Sequence, residues 1–247
     1  MEHRDSCIIR HFSHYLALSE RDKVLLNELE RTPIEVEAGD LLWEEMANAE
    51  EFCSLRSGWA YSFRYLENGT RQILEVFLPG DIIGLREFAF SQRLAGVRMI
   101  EDGVICRFPH AAILRLFRQS STLTTVMFAI SSRQQALMTE RLVNIARRSA
   151  RQKLAHFLLE MHQRLRQTEP EGDCHLRLPM SQEVLADLLG LSPVHVSRTF
   201  TALDEDRLVH RDGHRLTIPD LQALARHGQF DDCYLIDNLR SLVVSES

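Results

Sequence analysis

The chain has 247 residues, 45% of them hydrophobic and 26% charged, with 11 Gly and 7 Pro. These proportions belong to a globular protein and exclude collagen-like, low-complexity and small disulfide-bound scaffolds. A net charge of −6 makes no whole-chain case for nucleic acid, so the distribution of charge has to be read instead. No run of about 18 apolar residues occurs, and Met1-Glu-His-Arg-Asp-Ser-Cys7 lacks an apolar leader core. A soluble, cytoplasmic chain is expected.

The N-terminal segment sets His3, Cys7, His11 and His14 on one face if it is helical. Histidines on short terminal segments are commonly solvated, so no metal is assigned there. Glu20 to Arg31 reads as a helix. Residues 33–110 then alternate or are β-rich in short runs: Ile34-Glu-Val-Glu37, Ala60 to Tyr65, Gln72 to Phe77 and Val104 to Phe108. Glycine-bearing turns separate them, including Asn68-Gly69, a hairpin signal whose usual geometry puts both residues at positive φ. Many short strands at this spacing predict a β-sandwich or barrel. Cys7, Cys53, Cys106, Cys174 and Cys233 have no Cys-x-x-Cys spacing and read mostly as small buried hydrophobes.

After residue 110 the period changes. Leu123, Ile130 and Leu137 stand seven apart, with Met127 and Gln134 at the alternate position. This predicts a helix of about seven turns with a coiled-coil-like seam. A second copy of the chain is the economical partner for that seam; the alternative is packing on the β domain. From Arg133 to Arg166 eight basic residues face only Glu140 and Glu160, a local net charge of +6. That block reads either as a footprint for phosphate or as a solvated helix face. A hinge is expected at Asn144–Ser149, followed by the capping-box spacing Ser149-Ala-Arg-Gln152.

The most informative stretch is Gln182-Glu-Val-Leu-Ala186-Asp-Leu-Leu-Gly190-Leu-Ser-Pro-Val-His-Val196-Ser-Arg-Thr-Phe200. Ala186 is small where two helices cross, Gly190 permits the sharp turn, and Val196 plugs the core between the helices. Ser192 is a natural N-cap, and Pro193 takes the first helical position, where its missing N–H costs nothing. This is helix-turn-helix spacing. The second helix, from Ser192 to about Glu205, presents Val194, His195, Ser197, Arg198 and Thr201 outward. An arginine there can fork onto guanine O6 and N7, while His195 and Ser197 can reach base edges or phosphates. Ser181, Gln182 and Ser192 cluster at helix N-termini and are candidates for phosphate. Leu208 to Ile218, around Gly213, reads as a two-stranded wing.

A glycine-punctuated β domain, a seam-bearing helix and a winged helix together resemble the Crp/Fnr family of bacterial regulators. The anchors are Pro79-Gly-Asp-Ile-Ile-Gly84, Val104-Ile-Cys-Arg-Phe-Pro109 and the helix-turn-helix. The resemblance implies an α+β chain: a cupin-like β-roll sensor (1–120), a dimerisation helix and hinge (121–148), a winged helix-turn-helix (149–219) and a helical tail (220–247). It implies a homodimer on a palindromic operator, RNA polymerase as a partner, and a possible small-molecule effector. The effector pocket would involve Gly84, Glu87, Arg93, Met138 and Thr139. The dimer seam would be Leu123, Met127, Ile130, Gln134 and Leu137.

The departures from that family pattern narrow the effector. Cyclic-AMP-binding members carry Gly-Glu and, farther on, Arg-Ser/Thr-Ala; here the pairs are Gly84-Leu85 and Arg93-Leu94-Ala95. Both the ribose acceptor and one phosphate hydroxyl are lost. Oxygen-sensing members hold an iron–sulfur cluster on several N-terminal cysteines and one in the roll. Cys106 matches the roll position, but Cys7 stands alone, so no cluster and no other cofactor is expected. Many members read cytosine with Glu at the position of Val194, so their half-site does not carry over. No phosphate loop, nucleophile triad or carboxylate pair marks an enzyme. The rival reading is a ligand-binding regulatory module acting through protein partners, which would not bind duplex DNA specifically.

Overall fold

A computed structural model describes residues 6–168, 174–236 and 239–240. Two helices come first, α1 (Cys7–Tyr15) and α2 (Glu20–Leu29). Eight strands follow: β1 (Pro33–Val36), β2 (Leu41–Trp43), β3 (Glu51–Ser57), β4 (Ala60–Tyr65), β5 (Arg71–Phe77), β6 (Ile82–Ile83), β7 (Gly96–Met99) and β8 (Gly103–Pro109). Next are α3 (His110–Gln119), α4 (Ser121–Arg147) and α5 (Ala150–Thr168). The last elements are β9 (His175–Arg177), α6 (Gln182–Leu189), α7 (Pro193–Glu205), β10 (His210–Asp212), β11 (Arg215–Thr217) and α8 (Leu221–Gly228). The chain divides into two compact units, residues 1–64 with 75–134 and 237–247, and residues 65–74 with 135–236.

In the first unit the strands form two four-stranded sheets, ordered β1-β8-β3-β6 and β2-β7-β4-β5. Their facing side chains, among them Trp43, Leu55, Phe77, Ile83, Val97 and Ile105, make one apolar core. A second core lies under the helices, where Ile8, Phe12, Leu26, Ile113, Leu123 and Ile130 pack on Phe52, Ile82 and Phe108 of the roll. Helix α2 starts with a capping box between Ser19 and Asp22. His11 is buried and donates from Nδ1 to the carbonyl of Gly80 at 2.9 Å, which joins α1 to the Pro79-Gly-Asp turn. His3 lies outside the described residues.

The hairpin between β4 and β5 closes differently from the paired positive-φ turn that Asn68-Gly69 suggests. Only Gly69 has positive φ, +78°, and Asn68 instead accepts from the Thr70 N–H through its side chain at 3.0 Å. Gly69 N–H bonds Leu66 O at 2.9 Å, giving a longer loop with one left-handed residue.

The residues of the heptad expected at the dimer seam are covered within the protomer itself. Leu123, Met127, Ile130 and Leu137 are 0%, 4%, 5% and 7% exposed within one protomer, and Gln134 is half-buried. Leu123, Met127 and Ile130 pack on the protomer's own α1–α3 layer, so this face of α4 is covered at home. The opposite face exposes Phe128, Gln135 and Leu142, which also stand seven apart.

In the second unit α4 ends at Arg147, and the Ser149/Gln152 capping box opens α5. Helix α8 packs on α5 so closely that a Cβ at Gly228 would meet the His156 backbone N at 3.0 Å. The following residues fold back as well: Phe230 and Tyr234 lie at 5.1 and 6.2 Å from the buried ring of His156. Burial, aided by Arg148 and Arg141, pushes the His156 pKa down to about 3.

Candidate nucleic-acid interface

Helix α6 begins at the N-cap Ser181, whose Oγ accepts from Val184 N–H at 3.2 Å. It ends at Gly190 with φ +63° and ψ +44°, the left-handed conformation that favours glycine. Ser192 then caps α7, accepting from His195 N–H at 3.3 Å, with Pro193 at the first position. Leu185, Ala186, Leu189, Val196 and Phe200 are buried between the helices and their supports. Capping, a glycine turn and an apolar plug therefore shape the turn between α6 and α7.

What this leaves outside is the other side of α7. Val194, His195, Arg198 and Thr201 are exposed, and Ser197 is half-buried beside them. Ser181 and Ser192 are exposed and Gln182 is half-buried at the two helix N-termini. Each capping hydroxyl accepts a backbone hydrogen bond, and that of Ser181 also donates to the carboxylate of Glu183, whose pKa is lowered by its own backbone N–H and by this bond. The wing has three strands, ordered β10-β11-β9, with Gly213 at φ +59° in its turn. Strand β9 is not evident in the sequence, because no hairpin turn joins it to its neighbour: it pairs with β11, about forty residues farther along the chain. Arg211 holds the wing to α7, its guanidinium 4.5 Å from the centre of the Phe200 ring.

The basic block between Arg133 and Arg166 is largely engaged internally. Arg141 meets Glu160 at 3.0 Å, Arg148 meets Glu140 at 3.3 Å, and Arg151 pairs with Asp206. Arg164 lies 3.7 Å from the same Glu160. Among the described residues, Arg141, Arg148, Arg151 and Arg164 of this block thus lie against carboxylates of the chain itself.

The comparisons with known proteins agree with this geometry. A model of the cyclic nucleotide-binding domain matches residues 33–120, and one of the Crp-like helix-turn-helix domain matches residues 152–227. Among relatives, the transcriptional activatory protein AadR of Rhodopseudomonas palustris is 32% identical over 188 residues, 74% of this chain and 76% of that protein. The chain belongs to the Crp/Fnr family of transcription regulators. The nitrogen fixation regulation protein FixK of Bradyrhizobium diazoefficiens is 31% identical over 170 residues, 68% of this chain and 69% of that one. The solved structure of FixK2 from Bradyrhizobium japonicum superposes with a TM-score of 0.72 at 23% identity, covering 79% of this chain and 96% of that one. That likeness is one of fold. As a Crp/Fnr regulator the chain is a DNA-binding protein with a roll and a winged helix, and no helix among its described residues is long and apolar enough to cross a membrane.

Within this Crp/Fnr roll, three of the five expected effector residues come together. Gly84, at φ +100°, opens the turn Leu85–Glu87, and a Cβ on it would stand 2.9 Å from Arg93 Nη1. Arg93 is 1% exposed, with its guanidinium carbon 3.9 Å from the centre of the Trp43 ring. Its Nη2 donates to the carbonyl of Glu51, while Nε and Nη1 are buried without a hydrogen-bond partner. Glu87 is also buried and pairs with Arg86 at 3.2 Å. Met138 and Thr139 are exposed on the part of α4 that belongs to the second unit. Cys53 and Cys106 are fully buried, and burial raises both thiols, Cys53 to about 12. Cys7 accepts from Arg10 Nη2 at 3.0 Å.

Proposed function

We propose that this regulator binds a palindromic operator as a homodimer, with α7 of each protomer in a major groove. The reading rests on the exposed face of α7, where Arg198 stands among His195, Ser197 and Thr201 above a rigidly capped turn. Arg198 forks onto guanine, His195, Ser197 and Thr201 reach base edges or phosphates, and Val194 offers an apolar contact to a thymine methyl. Ser181, Gln182 and Ser192 hold phosphates at the helix N-termini. In this division of labour the roll (1–120) senses, α4 and the hinge (121–148) dimerise, and residues 149–219 read DNA.

The dimer forms through the outer face of α4. Phe128 is 76% and Leu142 69% exposed in the protomer, and their spacing with Gln135 suits a self-complementary two-fold contact. Two relatives are named as an activatory protein and an activator, which favours RNA polymerase as a partner over simple occlusion of a promoter. We assign no catalytic activity and no resident cofactor.

Control does not run through a cyclic nucleotide. Leu85 and Leu94 stand where nucleotide-binding relatives carry polar groups, and Trp43 covers Arg93. An effector of another class, or the abundance of the protein, sets activity. Light scattering with operator titration tests the proposal: a dimer is expected, Phe128→Asp with Leu142→Asp yields monomers of much lower operator affinity, and cyclic AMP leaves affinity unchanged. A monomeric wild type, or operator binding that rises with cyclic AMP, contradicts it.

A further inference from the structure

Residues 65–74, the connection between β4 and β5, belong to the second unit, although the strands they join are strands of the roll. At the end of that connection Arg71 Nε donates to Asp187 Oδ2 at 2.7 Å, and Nη2 approaches the same oxygen at 2.7 Å. Both side chains are largely covered, 18% and 29% exposed. Beside them Gln72 Nε2 donates to the main-chain oxygen of Asp187 at 2.7 Å. Three donors from two consecutive residues therefore converge on one residue of α6.

The position of that residue matters. Asp187 lies in the last turn of a helix of only eight residues, three residues before the left-handed Gly190. The last four carbonyls of any helix have no partner within it. The carbonyl of Ala186 is satisfied by the N–H groups of Gly190 and Leu191, at the turn itself. The carbonyl of Asp187 receives its partner from Gln72. A guanidinium at this end of a helix also interacts favourably with the helix dipole. An exposed ion pair contributes little, but this one is half-buried, charge-assisted and reinforced by an amide.

We propose that Arg71 and Gln72 are positioning residues for operator binding: they hold the C-terminal turn of α6 and, through it, set how α7 is presented to DNA. They act through Asp187, not by touching bases. This assignment rests on the operator reading above.

The test is operator affinity for the duplex recovered by selection with the full-length protein, alongside melting temperature. The variants are Arg71→Glu, Asp187→Arg, the double swap and Gln72→Ala. Wild-type binding is scored first: its absence contradicts the operator reading, whereas binding with unresponsive variants contradicts this assignment. Each single charge reversal is expected to weaken binding about tenfold, and the double swap to recover most of it. Simple charge effects on DNA likewise weaken binding in Arg71→Glu, which removes positive charge, but tighten it in Asp187→Arg, which adds it, so Asp187→Arg and the double swap separate the two accounts. Tighter binding by Asp187→Arg, or losses that add in the double swap, overturn the proposal. Gln72→Ala changes no charge and covers the case in which a reversal lowers the melting temperature. A loss of about threefold at an unchanged melting temperature is expected, and unchanged affinity overturns the proposal.

Discussion

The guanidinium of Arg141 meets the carboxylate of Glu160 at 3.0 Å, with side-chain exposures of 8% and 3%. Arg141 also donates to the carbonyl of Leu74. Helix α4 is thereby tied to α5 across the hinge by a buried charge pair, and not by apolar contact alone. Such a pair is not strongly stabilising against an apolar replacement of both partners, but breaking it leaves a buried charge. Glu160→Gln is therefore expected to destabilise the fold by about 3–5 kcal/mol. Urea denaturation checks this; a change below about 1 kcal/mol would show that water reaches Arg141.

The two faces of α4 make opposite predictions. Leu123 is fully buried in the protomer, so Leu123→Ala should cost about 2–5 kcal/mol of folding stability. Phe128 is 76% exposed, so Phe128→Asp should change protomer stability by only about 0.5 kcal/mol while disrupting the dimer. Thermal melts and sedimentation of the two variants separate folding from association.

His156 makes stability depend on pH. Its ring is buried beside Phe230 and Tyr234, and its pKa falls to about 3, first through burial and then through Arg148 and Arg141. Glu140 lies 3.6 Å from Nε2 but does not offset these effects. In the unfolded chain the imidazole takes up a proton near pH 6.5. Below that pH the unfolded state binds more protons than the native one. The contribution of His156 is thus complete above about pH 6.5 and is lost as pH falls toward 3. Between pH 7 and 5.5 the loss should be about 1 kcal/mol. Denaturant midpoints of wild type and His156→Phe at both pH values check this, the variant showing the smaller drop.

Arg198 should carry sequence information. Arg198→Ala is expected to cost about 1–3 kcal/mol of operator affinity and to relax preference at one base pair of each half-site. Titration against operators altered at single positions reads this out. A uniform loss across sequences would make Arg198 a phosphate contact.

The parts of this protein that were legible in the sequence are those fixed by local chemistry. Ser181, Gly190, Ser192 and Pro193 each hold the place that capping and turn geometry demand, so α6 and α7 could be drawn from the sequence. The strand at Ala60–Tyr65 and the Ser149 cap were visible for the same reason. What local pattern does not carry is the identity of the partner. The heptad of Leu123, Ile130 and Leu137 is real, but periodicity does not say whether a second chain or the protomer's own α1–α3 layer covers it. The cations from Arg141 to Arg164 looked available because Glu140 was counted as one charge of a sum, and Asp206 lies 55 residues from Arg151. Strand β3 runs through the middle of its sheet with Ser54 and Arg56 in it, too polar to be singled out. The packing of the tail expected at 220–247 does not show in the sequence, because Phe230 and Tyr234 meet the ring of His156 only in the folded chain.

Selection of random duplexes by the purified full-length protein, at near-physiological salt and without added ligand, tests the central claim most directly. A two-fold symmetric site is predicted, with half-sites centred about one helical turn, roughly 34 Å, apart and preferences that change in Arg198→Ala. Enrichment of no sequence over the starting pool, or of an asymmetric site indifferent to Arg198, would contradict it.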